Sequence, residues 1–347
     1  MSKKVFVGMS GGVDSSVTAA LLVREGYDVT GVYMKNWSKD LPGFTCPWQE
    51  DYQDAKRVAV QLGIDFKMYD FEAEYRSRVV DYMVAGYQAG ITPNPDIMCN
   101  QEVKFKLFLE AALADGADMI ATGHYARSQD GQLLTGIDAN KDQSYFLYRV
   151  TSDALSKSLM PIGGYEKPRV RELAQEMKLS TATKKDSQGI CFVGKVGIKD
   201  FLLAELGPQP FGAIVDQNGV TIGEHDGALF YTIGQRHGLD VGGGLPYYVV
   251  GKDMTKNEVY VTTDLQDTRL WRRELQLGVL HWINDAPADG QKLQVRTRYR
   301  APLVTCQLSF NQDQLTLQLS EEVRAITPGQ SAVLYDGDRV VGGGIVL

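Results

Sequence analysis

The chain has 347 residues, 44% hydrophobic and 23% charged, with a formal net charge of −7. That length and composition fit a globular protein of two or three domains. They exclude a transmembrane helix, since no run of about 18 apolar residues occurs, and the acidic balance speaks against a generic nucleic-acid binder.

The N-terminus, Met1-Ser2-Lys3-Lys4, lacks the apolar stretch and cleavage site of a signal peptide, so a cytoplasmic location with no membrane partner is expected. Lys4 to Val7 reads as a short buried strand. It runs into Gly8-Met9-Ser10-Gly11-Gly12-Val13-Asp14-Ser15, and a helix continues from there as far as Gly26. A strand, a Gly-rich turn and a helix start form a nest of backbone N–H groups under the positive end of the helix dipole. Such a nest selects an anion, and a nucleotide phosphate is the expected one. The turn has neither the G-x-x-x-x-G-K-[S/T] nor the G-x-G-x-x-G pattern. It resembles the SGG-x-D-S motif of the PP-loop ATP pyrophosphatases, which split ATP between the α and β phosphates and pass AMP to a substrate oxygen. That superfamily includes NAD, GMP and asparagine synthetases as well as tRNA thiolases.

Strands over 27–34, 65–71 and 118–122 alternate with helices over 51–62, 72–89 and 100–114, the pattern of a parallel sheet covered by helices. Ligands of such sheets sit at the carboxyl ends of the strands. Met34 and Gly123 fall there beside the nest and are candidate nucleotide contacts, with His124 next to them. Beyond residue 150 come a loop at Pro161–Gly164, a short helix at 167–177 and the aperiodic stretch 183–192. After Gly207-Pro208 the chain is β-rich and studded with glycine. From Leu275, strand patterns such as 292–298 and 315–319 predict a small antiparallel barrel. The expected organisation is a Rossmann-like α/β PP-loop domain at 1–200, a small central β-rich domain at 201–270 and a C-terminal β-barrel that binds tRNA at 271–347.

Four cysteines without a C-x-x-C form neither a disulfide framework nor an evident zinc site. Cys99 lies in Asn94-Pro95-Asp96-Ile97-Met98-Cys99-Asn100, where Pro and Asn mark a helix start. In or just before a first turn, its thiol would meet free N–H groups that lower its pKa. Cys191 lies in Asp186-Ser187-Gln188-Gly189-Ile190-Cys191-Phe192. Arg296, Arg298 and Arg300 alternate, so on a strand they would share one face. With Tyr299 they could grip phosphate or stack on a base.

Taken together, GMSGGVDSS, NPDIMCN, the Gly123–Arg127 segment, KDQSYFLY, DSQGICF and YTIGQRHGL resemble the bacterial tRNA-specific 2-thiouridylase family over residues 8 to about 330. The resemblance implies that ATP adenylates the C2 oxygen of a wobble uridine and that sulfur then replaces it, releasing AMP and pyrophosphate. Gly8 to Ser15 would hold the ATP, with Asp14 helping to bind Mg²⁺. Cys191 would carry the persulfide and Cys99 would act as nucleophile, the two forming a transient disulfide, with Asp96 as acid or base. Asn94, Pro95 and Asp96 would meet the target base. His124, Lys141, Asp142, Gln143, Arg298, Tyr299 and Gln330 would touch the tRNA. Implied partners are the tRNAs for lysine, glutamate and glutamine, and a persulfide donor, either a cysteine desulfurase or a sulfur relay protein. Three rivals stand beside this reading. One is an amidating synthetase, which lacks its glutaminase here because residue 2 is Ser. Another is a tRNA-binding or sulfur-carrier protein with a vestigial nucleotide site. The third is an iron–sulfur cluster on Asp96, Cys99 and Cys191.

Overall fold

The computed structural model describes the chain except residues 1, 42, 44, 187–196, 240, 243 and 245. Strands β1 (Lys4–Gly8), β2 (Asp28–Lys35), β3 (Asp65–Asp70) and β4 (Met119–Ala121) belong to a parallel sheet. A hairpin, β5 (Ala126–Gln129) and β6 (Gln132–Thr135), then leaves the sheet before β7 (Ser158–Leu159) completes the order β3-β2-β1-β4-β7. The α/β class read from the alternation is what the chain adopts. Val5 and Val7 are fully buried, as a strand covered on both faces requires.

The helix Val13–Arg24 lies against this sheet and is buried almost all round, from Ser15 through Leu22. Its polar residues tolerate burial because Ser16 Oγ returns to Gly12 O at 2.7 Å and Thr18 Oγ1 to Asp14 O at 2.8 Å. Two later helices widen into π turns, at Arg76–Val80 and Cys99–Leu107. The second widening begins at the cysteine of the NPDIMCN stretch.

The central unit pairs the helix Ile198–Leu206 with a four-stranded sheet of β8 (Gly212–Val215), β9 (Thr221–His225), β10 (Tyr248–Asp253) and β11 (Glu258–Thr262), ordered β10-β11-β8-β9. The last unit holds β12 (Trp271–Trp282), β13 (Lys292–Arg296), β14 (Val304–Asn311), β15 (Gln314–Arg324), β16 (Ser331–Asp336) and β17 (Arg339–Val346). Antiparallel pairing runs β12-β15-β14-β13-β16-β17, and β12 pairs with β17 to close a six-stranded barrel. Closure removes the free edges.

The units interlock. β17 pairs with β6, so the hairpin of the α/β unit extends the barrel sheet. Asp142, almost fully buried, accepts from Arg296 Nη1 of the barrel at 3.1 Å, and Tyr145 OH donates to Ser331 O at 2.8 Å. Where the hairpin meets the sheet, Gly163 approaches so closely that an added Cβ would lie 1.8 Å from Ala126 O. Gly163→Ala is therefore expected to destabilise the protein by about 3 kcal/mol or more, as forced backbone displacement does. A thermal unfolding scan that shows no drop in Tm would contradict this packing.

Candidate nucleotide and thiol site

The loop between β1 and the first helix is held by its own short side chains. Ser10 N donates to Ser15 Oγ at 3.2 Å, and Ser15 Oγ donates to Gly12 O at the same distance. Gly11 has φ +74°, and a Cβ there would lie 2.3 Å from Asp51 O, so the tight turn admits only glycine. Gly12, having no side chain, caps the helix without a side-chain hydrogen bond to its first turn. Gly8 faces Met34 Cε, 2.9 Å from where its Cβ would be, and Gly123 packs equally closely on the Asp14–Ser15 peptide. The residues expected to contact nucleotide are thus gathered at one end of the sheet.

Asp14 faces this loop as a carboxylate. Both its oxygens accept from Lys167 Nζ, at 2.8 and 2.9 Å, and Oδ1 also accepts from Tyr125 OH at 2.8 Å. Burial and the Asp14 charge push the Tyr125 phenol far up, so it stays a donor. The Asp14 carboxylate is neutralised by an ammonium, an arrangement that does not fit the expected role in holding Mg²⁺. Among the described residues no group of three His, Cys, Asp or Glu gathers to bind a metal.

Lys167 also reaches Asp186 at 2.9 Å. That carboxylate takes Lys141 at 3.0 Å and Arg171 as well. Burial opposes its ionisation, but the bonds from Lys167 and Lys141 hold its pKa at about 2. Lys184 bridges Asp51 and Asp54 at 2.8 and 2.6 Å. A mixed cluster therefore borders the nest, Lys141, Lys167, Arg171 and Lys184 paired with Asp14, Asp51, Asp54 and Asp186. Sequence reading missed Lys167 and Arg171; the signal was the basic run Lys167-Pro168-Arg169-Val170-Arg171 at a helix start facing the loop.

Asn94 caps the helix Pro95–Met98, its Oδ1 accepting from Asp96 N at 3.2 Å and Ile97 N at 3.3 Å. Burial raises the Asp96 carboxyl above its usual range, opposed by Lys104. Cys99 comes one turn later than expected. Its own N–H is bonded to Pro95 O and Asp96 O, so it does not sit among the free N–H groups, and the helix-end argument for a lowered pKa fails. The thiol is buried in a cluster with Trp37, Tyr75, Val103, Phe201 and Tyr231. Cys191 lies outside the described residues, and with it the expected meeting with Cys99 and the third ligand of the cluster alternative.

The residues expected to touch tRNA separate into two groups. His124, Lys141, Asp142 and Gln143 are turned to the protein. His124 Nδ1 meets Thr122 Oγ1 at 2.8 Å and its ring lies 5.6 Å from Phe105; burial, with Lys104 nearby, keeps it neutral. Lys141 pairs with Asp186, Asp142 ties the barrel to the α/β unit, and Gln143 Oε1 accepts from Tyr125 N at 2.9 Å. The second group, Arg298, Tyr299 and Gln330, belongs to the barrel unit. The expected arginine row does not form. β13 ends at Arg296, which turns inward to Asp142, and Arg300 at φ +63° reverses the chain. Arg298 and Arg300 bond instead to Arg324 O and Asn140 O. Tyr299 packs 4.5 Å from Phe146, whose carbonyl accepts from Asn100 beside Cys99.

Family models match all three units: a tRNA methyl transferase HUP domain over residues 3–195, a PRC-barrel domain over 199–263 and an aminomethyltransferase β-barrel domain over 272–346. Relatives named tRNA-specific 2-thiouridylase MnmA include one from Idiomarina loihiensis, 48% identical over 99% of this chain and 96% of that one. Others come from Neisseria meningitidis serogroup B (48%, 99% and 95%) and Bacillus subtilis (47%, 99% and 94%). A 4-thiouridine synthetase solved with RNA and bound ATP is 17% identical over 56% of this chain and 46% of that one, with a TM-score of 0.38, too slight a likeness to build on. Matched along nearly its whole length, the chain belongs to the tRNA-specific 2-thiouridylase family.

Proposed function

We propose that the protein is a tRNA sulfurtransferase that replaces the C2 oxygen of a wobble uridine with sulfur at the expense of ATP. One juxtaposition carries the reading. Gly123 touches the Asp14–Ser15 peptide of the nucleotide loop, and the adjoining His124 touches Phe105 on the helix that continues from Cys99. The loop and the thiol helix therefore converge on one strand end, where a base could be activated and attacked.

The chemistry requires both parts. A uracil C2 carbonyl is a poor electrophile, and oxide is a very poor leaving group. Transfer of AMP to the C2 oxygen releases pyrophosphate and makes AMP the leaving group. Gly11, Gly12 and the first-turn N–H groups receive the pyrophosphate, and Lys167 places its ammonium beside them. A persulfide on Cys191, loaded by a donor protein, supplies the sulfur. In one route its terminal sulfur attacks C2, AMP departs with the oxygen, and Cys99 thiolate breaks the S–S bond to leave 2-thiouridine. In the other, Cys99 first releases hydrosulfide, which attacks C2. Both routes oxidise the two cysteines to a disulfide as the sulfane sulfur takes two electrons, and a thiol reductant resets them. Asp96, its carboxyl raised by burial, serves as the acid or base. In this reading Arg298, Tyr299 and Gln330 meet the tRNA.

Incubated with ATP, Mg²⁺, a persulfide donor and tRNA, the protein is expected to yield 2-thiouridine by nucleoside mass spectrometry. Cys99→Ser and Cys191→Ser should each abolish it while ATP still binds. Turnover by either variant contradicts the relay, and a methyl mass gain instead of a sulfur-for-oxygen gain contradicts thiolation.

Lys167→Met is expected to weaken ATP binding by about tenfold or more in calorimetry, as loss of a charge-assisted phosphate contact does. If Lys167 served only to neutralise Asp14, adding Asp14→Asn would restore the affinity. Because Lys167 both neutralises Asp14 and faces the phosphates, we expect the restoration to be partial only.

Asp96→Asn is expected to abolish turnover yet raise Tm at pH 7, since burial disfavours the charge of the wild-type carboxylate. The sign comes from a folded pKa above the unfolded one. The wild type loses stability as pH rises through that interval, so the gain in the variant should vanish below the ordinary aspartate pKa. A gain that persists in acid would contradict burial as its cause.

A further inference from the structure

Thr92 is bonded to both β units. Its N–H donates to Pro328 O of the barrel unit at 2.9 Å. Its carbonyl accepts from Gln330 Nε2 at 2.7 Å, and its Oγ1 lies 3.1 Å from Thr232 Oγ1 of the central unit. Gly329 closes on the same peptide: at φ +90° it has no room for a side chain, since a Cβ would lie 2.8 Å from Thr92 N. The β units also bond to each other here, Thr327 Oγ1 donating to Ile233 O at 3.5 Å. Thr92 itself is buried. All three matched family segments therefore meet on one residue.

The chain is stiff from Thr92 onward. It reads Thr92-Pro93-Asn94-Pro95-Asp96, and each proline fixes its own φ. Pro93 packs against Gly86, its ring filling the space that a side chain there would occupy. Asn94 then caps the helix of Asp96 and Cys99 through two backbone N–H groups. A displacement imposed at Thr92 has little slack in which to dissipate before it reaches the carboxyl and the thiol.

We propose that Thr92 is a positioning residue: the barrel, through Gln330, and the central unit, through Thr232, set the helix that carries Asp96 and Cys99. Gln330 thus acts on the reaction from within the protein, whatever contact it makes with tRNA. The inference rests on the reading that Asp96 and Cys99 take part in forming 2-thiouridine.

The test compares Thr92→Val, which keeps the shape and loses the hydroxyl, with Thr92→Ser, which keeps the hydroxyl. For 2-thiouridine formation, Thr92→Val is expected to lower kcat by about tenfold with the KM for tRNA within about twofold, the pattern of misplaced reacting groups. Thr92→Ser should return kcat to within about twofold of wild type. Gln330→Met removes the other tie and should lower kcat by a similar factor, its KM being free to rise because Gln330 also meets the tRNA. In hydrogen exchange, the amides of 97–99 should exchange faster in Thr92→Val and Gln330→Met but not in Thr92→Ser, with protection elsewhere unchanged. Wild-type kcat in both Thr92→Val and Gln330→Met, or a loss confined to KM, would overturn the proposal. So would unchanged exchange at 97–99. If the wild type itself forms no 2-thiouridine, the functional reading fails, and the exchange arm still decides whether the clamp exists. Should Thr92→Val unfold globally, Gln330→Met and Thr92→Ser carry the comparison.

Discussion

A carboxylate at the start of a phosphate-binding helix has to be neutralised before a polyanion can settle beside it. In this chain that carboxylate is Asp14, and its neutralisation by Lys167 at 2.8 Å organises what surrounds it. Lys167 comes from a helix 153 residues further on, so the pair ties the end of the α/β unit to its beginning. Tyr125 donates to the same carboxylate, and Gly123 packs on its peptide. Because Lys167 also holds Asp186, the electrostatics of the nest extend to the stretch that leads toward Cys191. Partial burial strengthens the Coulomb attraction within such a cluster but adds a desolvation cost, so the pairs fix geometry more than they add net stability.

The two β units act on the α/β unit through a small number of placed contacts. The buried Asp142–Arg296 pair and the β6–β17 pairing fix the barrel. Tyr299 on Phe146 and Gln330 on Thr92 then approach the Cys99 helix from the barrel side. Loss of either partner of the buried ion pair would leave an uncompensated charge, so its presence marks where the units must stay in register.

Much of this was legible in the residues. The Gly-rich turn at 8–15 announced itself because anion nests need particular small residues at fixed offsets, and the βα alternation carried the parallel sheet with it. Contacts between distant segments were harder to read. Lys167 reads as one more charge on a short helix until the fold brings it to Asp14. The β5–β6 hairpin is four residues a side and is extended by β17. The arginine alternation predicts strand beyond Arg296, but a left-handed Arg300 turns the chain there. Cys99 was placed on the right helix but one turn too early, since Pro95 starts the helix and Asn94, not Cys99, serves its free N–H groups.

Central to the proposed reaction is that the oxygen of the substrate leaves with AMP. Wobble-uridine tRNA carrying ¹⁸O at C2 tests it directly. Turnover in unlabelled water, with mass spectrometry of the AMP, should recover one ¹⁸O in the phosphate of AMP and none in pyrophosphate. Unlabelled AMP accompanying 2-thiouridine formation would contradict adenylation of that oxygen.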